Sequence, residues 1–270
     1  MNQQKSIYRF LRGQAAWNMW AIRLLRRKQK LISMGVFDVV TEFDFEKNYY
    51  HTRGLNEMSQ AWLDRAFVDL SGLKFIAGDN YNNNAKARKR LDVEYAKTRI
   101  VPVCGLNIDF RNFIFPGDVR FNNTDFEGIA LFNGATFHAT GWFSDARFHD
   151  ACWFKDAEFR EHASFHQAAF GSYTTFEASR FKSVANFEAI TAAKTFSLRD
   201  ANFTNEVPSF VDATFSQTPR IDNLEVLAAP KRTIFTPRIR STIKAFSKES
   251  RKRRKFILRD LYWTEWLFNR

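Results

Sequence analysis

The amino-acid sequence predicts a solenoid, in which short coils of chain stack on one another, between two basic flanking segments. Three observations lead to this prediction: an excess of Phe, a strict spacing of those Phe residues, and an uneven distribution of charge. The 270 residues include 30 Phe against seven Trp and seven Tyr. Such a one-sided choice indicates a structural position that recurs along the chain and that Phe alone fills.

The Phe residues follow alternating steps of five and six residues from Phe110 onward. This rule defines 18 positions up to Phe203, of which 16 hold Phe and the other two hold Ala192 and Leu198. A second series of small residues lies two positions before these Phe residues. An α-helix or a flat β-strand cannot place such steps on one face, because their periods are 3.6 and 2. A chain that turns a corner every five or six residues can.

Four steps make a coil of 22 residues, so residue i lies over residue i+22 and the rings form four columns inside the stack. Replacing one ring by Ala should cost about 3–5 kcal/mol. The predicted core residues are Phe121, Phe126, Phe132, Phe137, Phe143, Phe148, Phe154, Phe159, Phe165, Phe170, Phe176, Phe181, Phe187 and Phe203.

Two irregularities in the pattern lead to further expectations. The extra residue in every second unit should bulge two of the four sides of the coil. Near Ala192 the small-residue positions hold Ile190 and Phe196, and a seven-residue step separates Phe203 from Phe210. We interpret this region as the fraying end of the solenoid, where an open edge must be covered.

Short motifs of the form Ala–polar–Phe recur through the repeat, as ATF, ARF, AEF, ANF and ATF at residues 135–137, 146–148, 157–159, 201–203 and 213–215. In these motifs the sequence resembles the pentapeptide-repeat family, whose unit reads small, polar, Leu or Phe, and two variable residues. The resemblance covers about residues 108–215, with an isolated echo at 68–75. It implies an all-β solenoid, a right-handed quadrilateral parallel β-helix, here with α-helical N- and C-terminal flanks.

We therefore expect four segments, with the charge concentrated at the ends. Residues 1–105 hold 18 basic and 10 acidic residues, 106–219 hold 9 and 14, and 220–270 hold 14 and 5. Any attraction to phosphate or anionic lipid should thus lie in the flanks. The predicted segments are a basic amphipathic helical region at 1–59, a lead-in and N-terminal cap at 60–107, the β-helix at 108–218, and a basic helical C-terminal cap or oligomerisation segment at 219–270.

Each flank has two interpretations. Residues 5–30 have the pattern of a basic amphipathic helix, which either docks on the solenoid or a second copy, the favoured interpretation, or adsorbs to anionic lipid. The basic run Arg251, Lys252, Arg253, Arg254 and Lys255 is either a solvated helix face or a contact for the phosphates of lipid or nucleic acid. The resemblance to the family also implies dimerisation through helices beyond the repeat, here through the aromatic stretch at 262–268.

The residues that carry chemistry are few and scattered. No phosphate-binding glycine loop, nucleophile elbow or zinc-protease motif is present, so no catalytic residue, cofactor or metal is expected. Cys104 and Cys152 lack the C-x-x-C spacing of a redox or zinc site and are expected as free thiols. The apolar stretch from Ala15 to Ile22 is too short for a membrane span, and a cytoplasmic protein, peripheral to the membrane in one interpretation, is the default expectation.

The outward residue before each core Phe is mostly polar, but Leu131, Trp142 and Trp153 interrupt that series. They form either a contact patch for a protein partner or a surface that the flanks cover. The leading functional hypothesis is therefore a non-enzymatic interaction scaffold with an unidentified protein partner. The alternatives are DNA mimicry towards a type II topoisomerase, which the resemblance suggests and the charge disfavours, and peripheral attachment to an anionic membrane or nucleic acid through 5–30 and 251–255.

Overall fold

In a computed structural model of the chain, residues 3–44, 49–78 and 99–226 are described. Three helices precede or flank the solenoid: α1 (Gln3–Phe10), α2 (Gln14–Ser33) and α3 (Glu57–Ala66). A hairpin of β1 (Val39–Asp44) and β2 (Tyr49–Gly54) lies between α2 and α3. The Asn56 side chain caps α3 by accepting a hydrogen bond from the Ser59 amide at 2.9 Å.

The remaining strands form four parallel sheets, which are the four faces of a quadrilateral solenoid. Face 1 contains β6 (Asn107–Asp109), β10 (Ile129–Leu131), β14 (Cys152–Trp153), β18 (Thr174–Thr175) and β22 (Phe196–Ser197). Face 2 contains β7 (Ile114–Phe115), β11 (Thr136–Phe137), β15 (Glu158–Phe159), β19 (Arg180–Phe181), β23 (Asn202–Phe203) and β25 (Glu225–Val226). The predicted fold class of an all-β parallel solenoid is confirmed.

Faces 3 and 4 begin before the long repeat. Face 3 contains β3 (Val68–Asp69), β8 (Val119–Arg120), β12 (Gly141–Trp142), β16 (Ala163–Ser164) and β20 (Ala185–Asn186). Face 4 contains β4 (Lys74–Gly78), β5 (Ile100–Cys104), β9 (Asp125–Glu127), β13 (Arg147–Phe148), β17 (Ala169–Phe170), β21 (Thr191–Ala192) and β24 (Thr214–Phe215). The echo at 68–75 is therefore part of the first coil.

The core consists of Phe rings that stack along each column and meet edge to face between columns. Phe132 and Phe154 stack with centroids 4.6 Å apart and planes 8° apart, whereas Phe132 and Phe143 pack at 5.6 Å and 87°. Both arrangements are the favourable ones for aromatic quadrupoles. All fourteen predicted core Phe residues are at most 1% exposed.

The sixth residue of each longer unit lies at a corner and does not bulge a side. In the step from Phe137 to Phe143, residues 138–140 form a bend and the following strand is β12. Strand pairing continues at a constant offset of 22 residues, as in Ala130 with Cys152. The expected bulge of two sides is therefore wrong, because the corners absorb the additional residue without disturbing the ladders.

The opposite corners are tight turns with a repeating backbone conformation. The amide of Ala135 donates to the carbonyl of Phe132 at 3.0 Å, and Gly134 between them has φ of 65°. Positive φ recurs at this turn position in Asn112, Asn123, Asp145, Asp156, Gln167, Ala178, Ala189, Asp200, Asp212 and Asn223. Asn, Asp and Gly tolerate this region best, which explains their recurrence at intervals of eleven residues.

The loosened pattern near Ala192 is an exchange of sizes within the core, and the interpretation as a fraying end is wrong. The ring of Phe196 lies 5.7 Å from that of Phe170 and 5.4 Å from that of Phe215, which are the neighbours of Ala192 on face 4. Phe196 thus fills the space that Ala192 leaves. The column continues past the seven-residue step, because Phe210 stacks on Phe187 at 4.9 Å and 6°.

Helices α1 and α2 cover the N-terminal end of the solenoid. The ring of Phe10 stacks on Phe110 with centroids 4.6 Å apart, and Trp17 is fully buried against Phe113 and Phe115. The Trp17 indole donates to the carbonyl of Ile114 at 2.8 Å. The favoured interpretation of residues 5–30, a helix docked on the solenoid, is confirmed.

At the other end the described residues run to β25, and the greater part of the predicted C-terminal cap, residues 227–270, lies outside them. Strand β25 pairs with β23 with an offset of 23 residues, as in Phe203 with Val226. The corner between Phe203 and Phe210 supplies the additional residue. The solenoid therefore continues beyond residue 218, where the sequence pattern had suggested its boundary.

Candidate interaction surface

An apolar group of side chains occupies the outer side of face 1. Side chains alternate along a strand, and since Ala130 and Cys152 are fully buried, the residues next to them point outward. The amides of these two residues donate to the carbonyls of Ala151 and Tyr173, which places the three coils directly over one another. We call this surface the Trp153 patch, and it consists of Ile129, Leu131, Ala151, Trp153 and Tyr173.

Trp153 is the exposed centre of the patch. Its side chain is 39% exposed, whereas Leu131, its partner in the parallel ladder, is only 5% exposed. Ile129, Ala151 and Tyr173 are half-buried. A large, partly exposed indole held on a short parallel strand has little freedom to lose on binding, which favours it as an anchor for a partner.

Trp142 does not belong to this surface, although the sequence grouped it with Trp153. It lies on face 3 and is 5% exposed, with its ring centroid 5.4 Å from that of His162. The expected exposure is therefore wrong for Trp142 and for Leu131. Faces 1 and 3 lie on opposite sides of the coil, since the chain passes through face 2 between them, so the two Trp residues cannot contact one partner surface.

Rows of ion pairs border the patch on face 1. Arg111 and Asp109 form a double hydrogen bond, with distances of 3.0 Å and 2.6 Å. The Glu177 carboxylate accepts from Arg199 at 2.7 Å and from Lys155 at 3.2 Å. The hydrogen bond from Arg199 holds the pKa of Glu177 below its usual range, so this row stays ionised at neutral pH. An apolar centre with a polar rim is the usual composition of a protein interface.

The other residues that the sequence singled out do not form a reactive centre. Burial raises the pKa of the Cys152 thiol well above its ordinary value, which makes this thiol unreactive. Within 3–44, 49–78 and 99–226, no three His, Cys, Asp or Glu residues are placed to hold a metal ion. In the same ranges no helix is long and apolar enough to cross a membrane. Arg251 to Lys255 and the 262–268 stretch lie outside the described residues.

Sequence reasoning found Trp153 but missed Ile129 and Tyr173. The available signal was the same alternation: these residues lie three positions before a core Phe, and on face 1 this position also points outward. The strands of face 1 include the small residue of each unit, as in Cys152–Trp153, whereas those of face 2 include the Phe, as in Glu158–Phe159. The repeat alone does not reveal this difference between faces.

The architecture defines a class, the β-solenoid proteins that present side chains from a rigid stack of coils. Residues 110–158 match the family model described as pentapeptide repeats, with nine copies of the repeat. Comparisons with the curated proteins and with the solved structures gave no match. The resemblance seen in the sequence is thus confirmed, and the middle of this chain is a pentapeptide-repeat β-helix.

Proposed function

We propose that the protein is a non-enzymatic interaction scaffold that binds a protein partner through the Trp153 patch. The observation that carries this proposal is the 39% exposure of Trp153 at the centre of an apolar group on a rigid face. Anchors of this kind contribute most of the binding energy in protein interfaces, and Trp is the most enriched residue among them.

The charge pattern favours protein recognition over mimicry of nucleic acid. Basic and acidic side chains alternate along the rows of the solenoid, as in Lys155, Glu177 and Arg199. A surface that imitates duplex DNA needs closely spaced negative charge, since duplex DNA carries one charge per about 1.7 Å of helix. Paired charges of opposite sign instead fix orientation and exclude wrong partners at the edge of an interface.

Site-specific photo-crosslinking in the native cell tests the proposal. A photoreactive phenylalanine analogue is placed at Trp153, and in a second strain at Arg180, which is exposed on face 2. We expect a discrete protein adduct from position 153 that position 180 does not give. The partner identified by mass spectrometry should then be lost in a pull-down with Trp153→Glu and retained with Arg180→Glu.

Two results would contradict the proposal. One is an identical set of adducts from both positions, which would indicate random collision. The other is a partner that binds Trp153→Glu as tightly as the unmodified chain, with melting temperatures confirming that both are folded. In the second case the partner contacts another part of the molecule.

A further inference from the structure

Helix α2 has an inner face committed to the fold and an outer face that is exposed. The inner face packs through the buried residues Trp17, Ala21, Leu24 and Leu31. The Trp62 indole on α3 donates to the carbonyl of Leu24 at 2.8 Å, which fixes the second half of α2 as well. The exposed residues at helical spacing on the opposite side, which we call the outer face of α2, are Met19, Ile22, Arg23, Arg26 and Lys30.

The outer face is cationic without compensation. Residues 3–33 contain eight basic residues and no carboxylate. Two of the cations point elsewhere: the Arg9 guanidinium lies 4.1 Å from the Trp20 ring and the Lys28 amine 5.1 Å from the Trp62 ring. In the part of the chain that the structure describes, Arg23, Arg26 and Lys30 form no ion pair.

The same face also exposes apolar side chains. Met19 is 57% exposed and Ile22 is 38% exposed, and they lie one turn from Arg23 and Arg26 on the helix surface. Nucleic acid would pair with the cations but would leave these aliphatic groups against a phosphate backbone. The headgroup region of a bilayer satisfies both, because anionic headgroups pair with Arg and Lys while apolar side chains enter the acyl boundary.

We propose that the outer face of α2 is a binding site for anionic phospholipid at a bilayer surface. The site lies at the N-terminal end of the solenoid, since Asn18 on the same helix bonds to the backbone of Asn112 and Ile114 in the first coils. The fold thereby holds the helix before it meets the membrane, so binding requires no new ordering of the chain. Two arginines and a lysine beside two aliphatic groups give weak, reversible and salt-sensitive attachment.

Flotation of the full chain with vesicles tests this proposal. We expect it to bind vesicles of phosphatidylcholine that contain one third phosphatidylglycerol and not those of phosphatidylcholine alone. Arg23→Glu with Arg26→Glu should weaken binding at least about tenfold, because each basic residue near the surface contributes on the order of a factor of five. Met19→Ser with Ile22→Ser should weaken binding by a smaller factor without any change in charge.

The matched control is Arg180→Glu with Lys194→Glu, which makes the same change in net charge at exposed positions of the solenoid. This control should change binding less than about twofold. Circular dichroism and melting temperature verify that each variant is folded, and Arg23→Gln with Arg26→Gln replaces the Glu variant if that one is not.

Three outcomes would overturn the proposal. The first is an absence of flotation with anionic vesicles. The second is full binding by the folded Arg23 and Arg26 variant, which would place lipid attachment elsewhere, for example at Arg251 to Lys255. The third is that this variant loses affinity for a duplex DNA fragment in fluorescence anisotropy while the unmodified chain fails to bind vesicles, which would make nucleic acid the ligand.

Discussion

The backbone conformation of single residues limits the stability of the solenoid at its tight corners. Ala178 has φ of 55° at a turn position where Asn, Asp or Gly usually stands. A residue with a Cβ is strained there, whereas Gly is not. We expect Ala178→Gly to raise the free energy of unfolding by about 0.5–1 kcal/mol in a denaturant titration.

The control for this substitution is Ala169→Gly within strand β17. There φ is not positive, so the same loss of a methyl group should lower the free energy of unfolding by about 0.5–1 kcal/mol. A destabilisation of both variants would show that strain at residue 178 is not significant.

A buried histidine should make the fold sensitive to mild acid. Burial lowers the pKa of His162 from 6.5 to about 4, so the folded protein resists a proton that the unfolded chain accepts. Stability is therefore complete above the unfolded pKa and falls as the pH drops below 6.5, by about 1.5 kcal/mol at pH 5. His162→Gln should remove most of this slope in urea titrations.

Measurement of the His162 titration by NMR checks the same prediction directly. A midpoint near 6.5 in the folded protein would contradict it. His138 has a pKa lowered to about 4 by burial and by Arg160, but its side chain is more exposed and its contribution should be smaller. The interval between pH 6.5 and about pH 5 avoids most carboxylate titration.

At the scale of the elements, the size exchange between strands β21 and β22 should appear as an energetic coupling. Phe196→Ala alone removes a buried ring and should cost about 3–5 kcal/mol, and Ala192→Phe alone should cost about 1–3 kcal/mol by overpacking. The double variant restores the column with the regular pattern of the earlier coils. Its loss should be at least about 1 kcal/mol smaller than the sum of the single losses.

A double-mutant cycle by denaturant unfolding measures this coupling. Ala168→Phe with Phe170→Ala, which places both changes on a single strand whose Phe already has ring neighbours above and below, serves as a comparison. Additive losses at Ala192 and Phe196 would contradict the exchange.

The sequence reveals the columns of the solenoid far better than its corners and ends. The spacing of Phe places Phe132 under Phe154 because a buried column tolerates no change of register. The turns are less visible, since Gln167, Ala178 and Ala189 adopt positive φ without the residue types that announce it. Phe196 was misinterpreted because a space can be filled from a neighbouring face, which a one-dimensional pattern does not show.

The candidate site was only partly predictable for a related reason. The repeat assigns both Trp142 and Trp153 to the outside, and both do lie outside the Phe columns. Their exposure depends on neighbours in the adjoining coils, such as His162 beside Trp142. Since no residue near either Trp in the sequence differs in a decisive way, exposure had to come from the structure.

For the whole molecule, the N-terminal cap should be essential to stability. Trp17 is fully buried and saturates the Ile114 carbonyl at the edge of face 2. We expect Trp17→Ala to cost about 3–5 kcal/mol and to promote self-association through the uncovered edge. Thermal unfolding and light scattering measure the two effects.

Trp153→Ala is the matched comparison, because it removes the same side chain from an exposed position. Its cost should be about 1–2 kcal/mol, without self-association. Equal losses for the two variants would contradict the assignment of Trp17 as a cap.

The constant offset between neighbouring strands has a consequence for how such a molecule can vary. Each coil meets only the one before it and the one after it, through the same ladders and the same ring contacts. Removing or duplicating one complete coil of 22 residues therefore leaves every remaining contact with an equivalent partner. Length is a quantity that this architecture can change in whole increments, and the distance between its two ends changes with it.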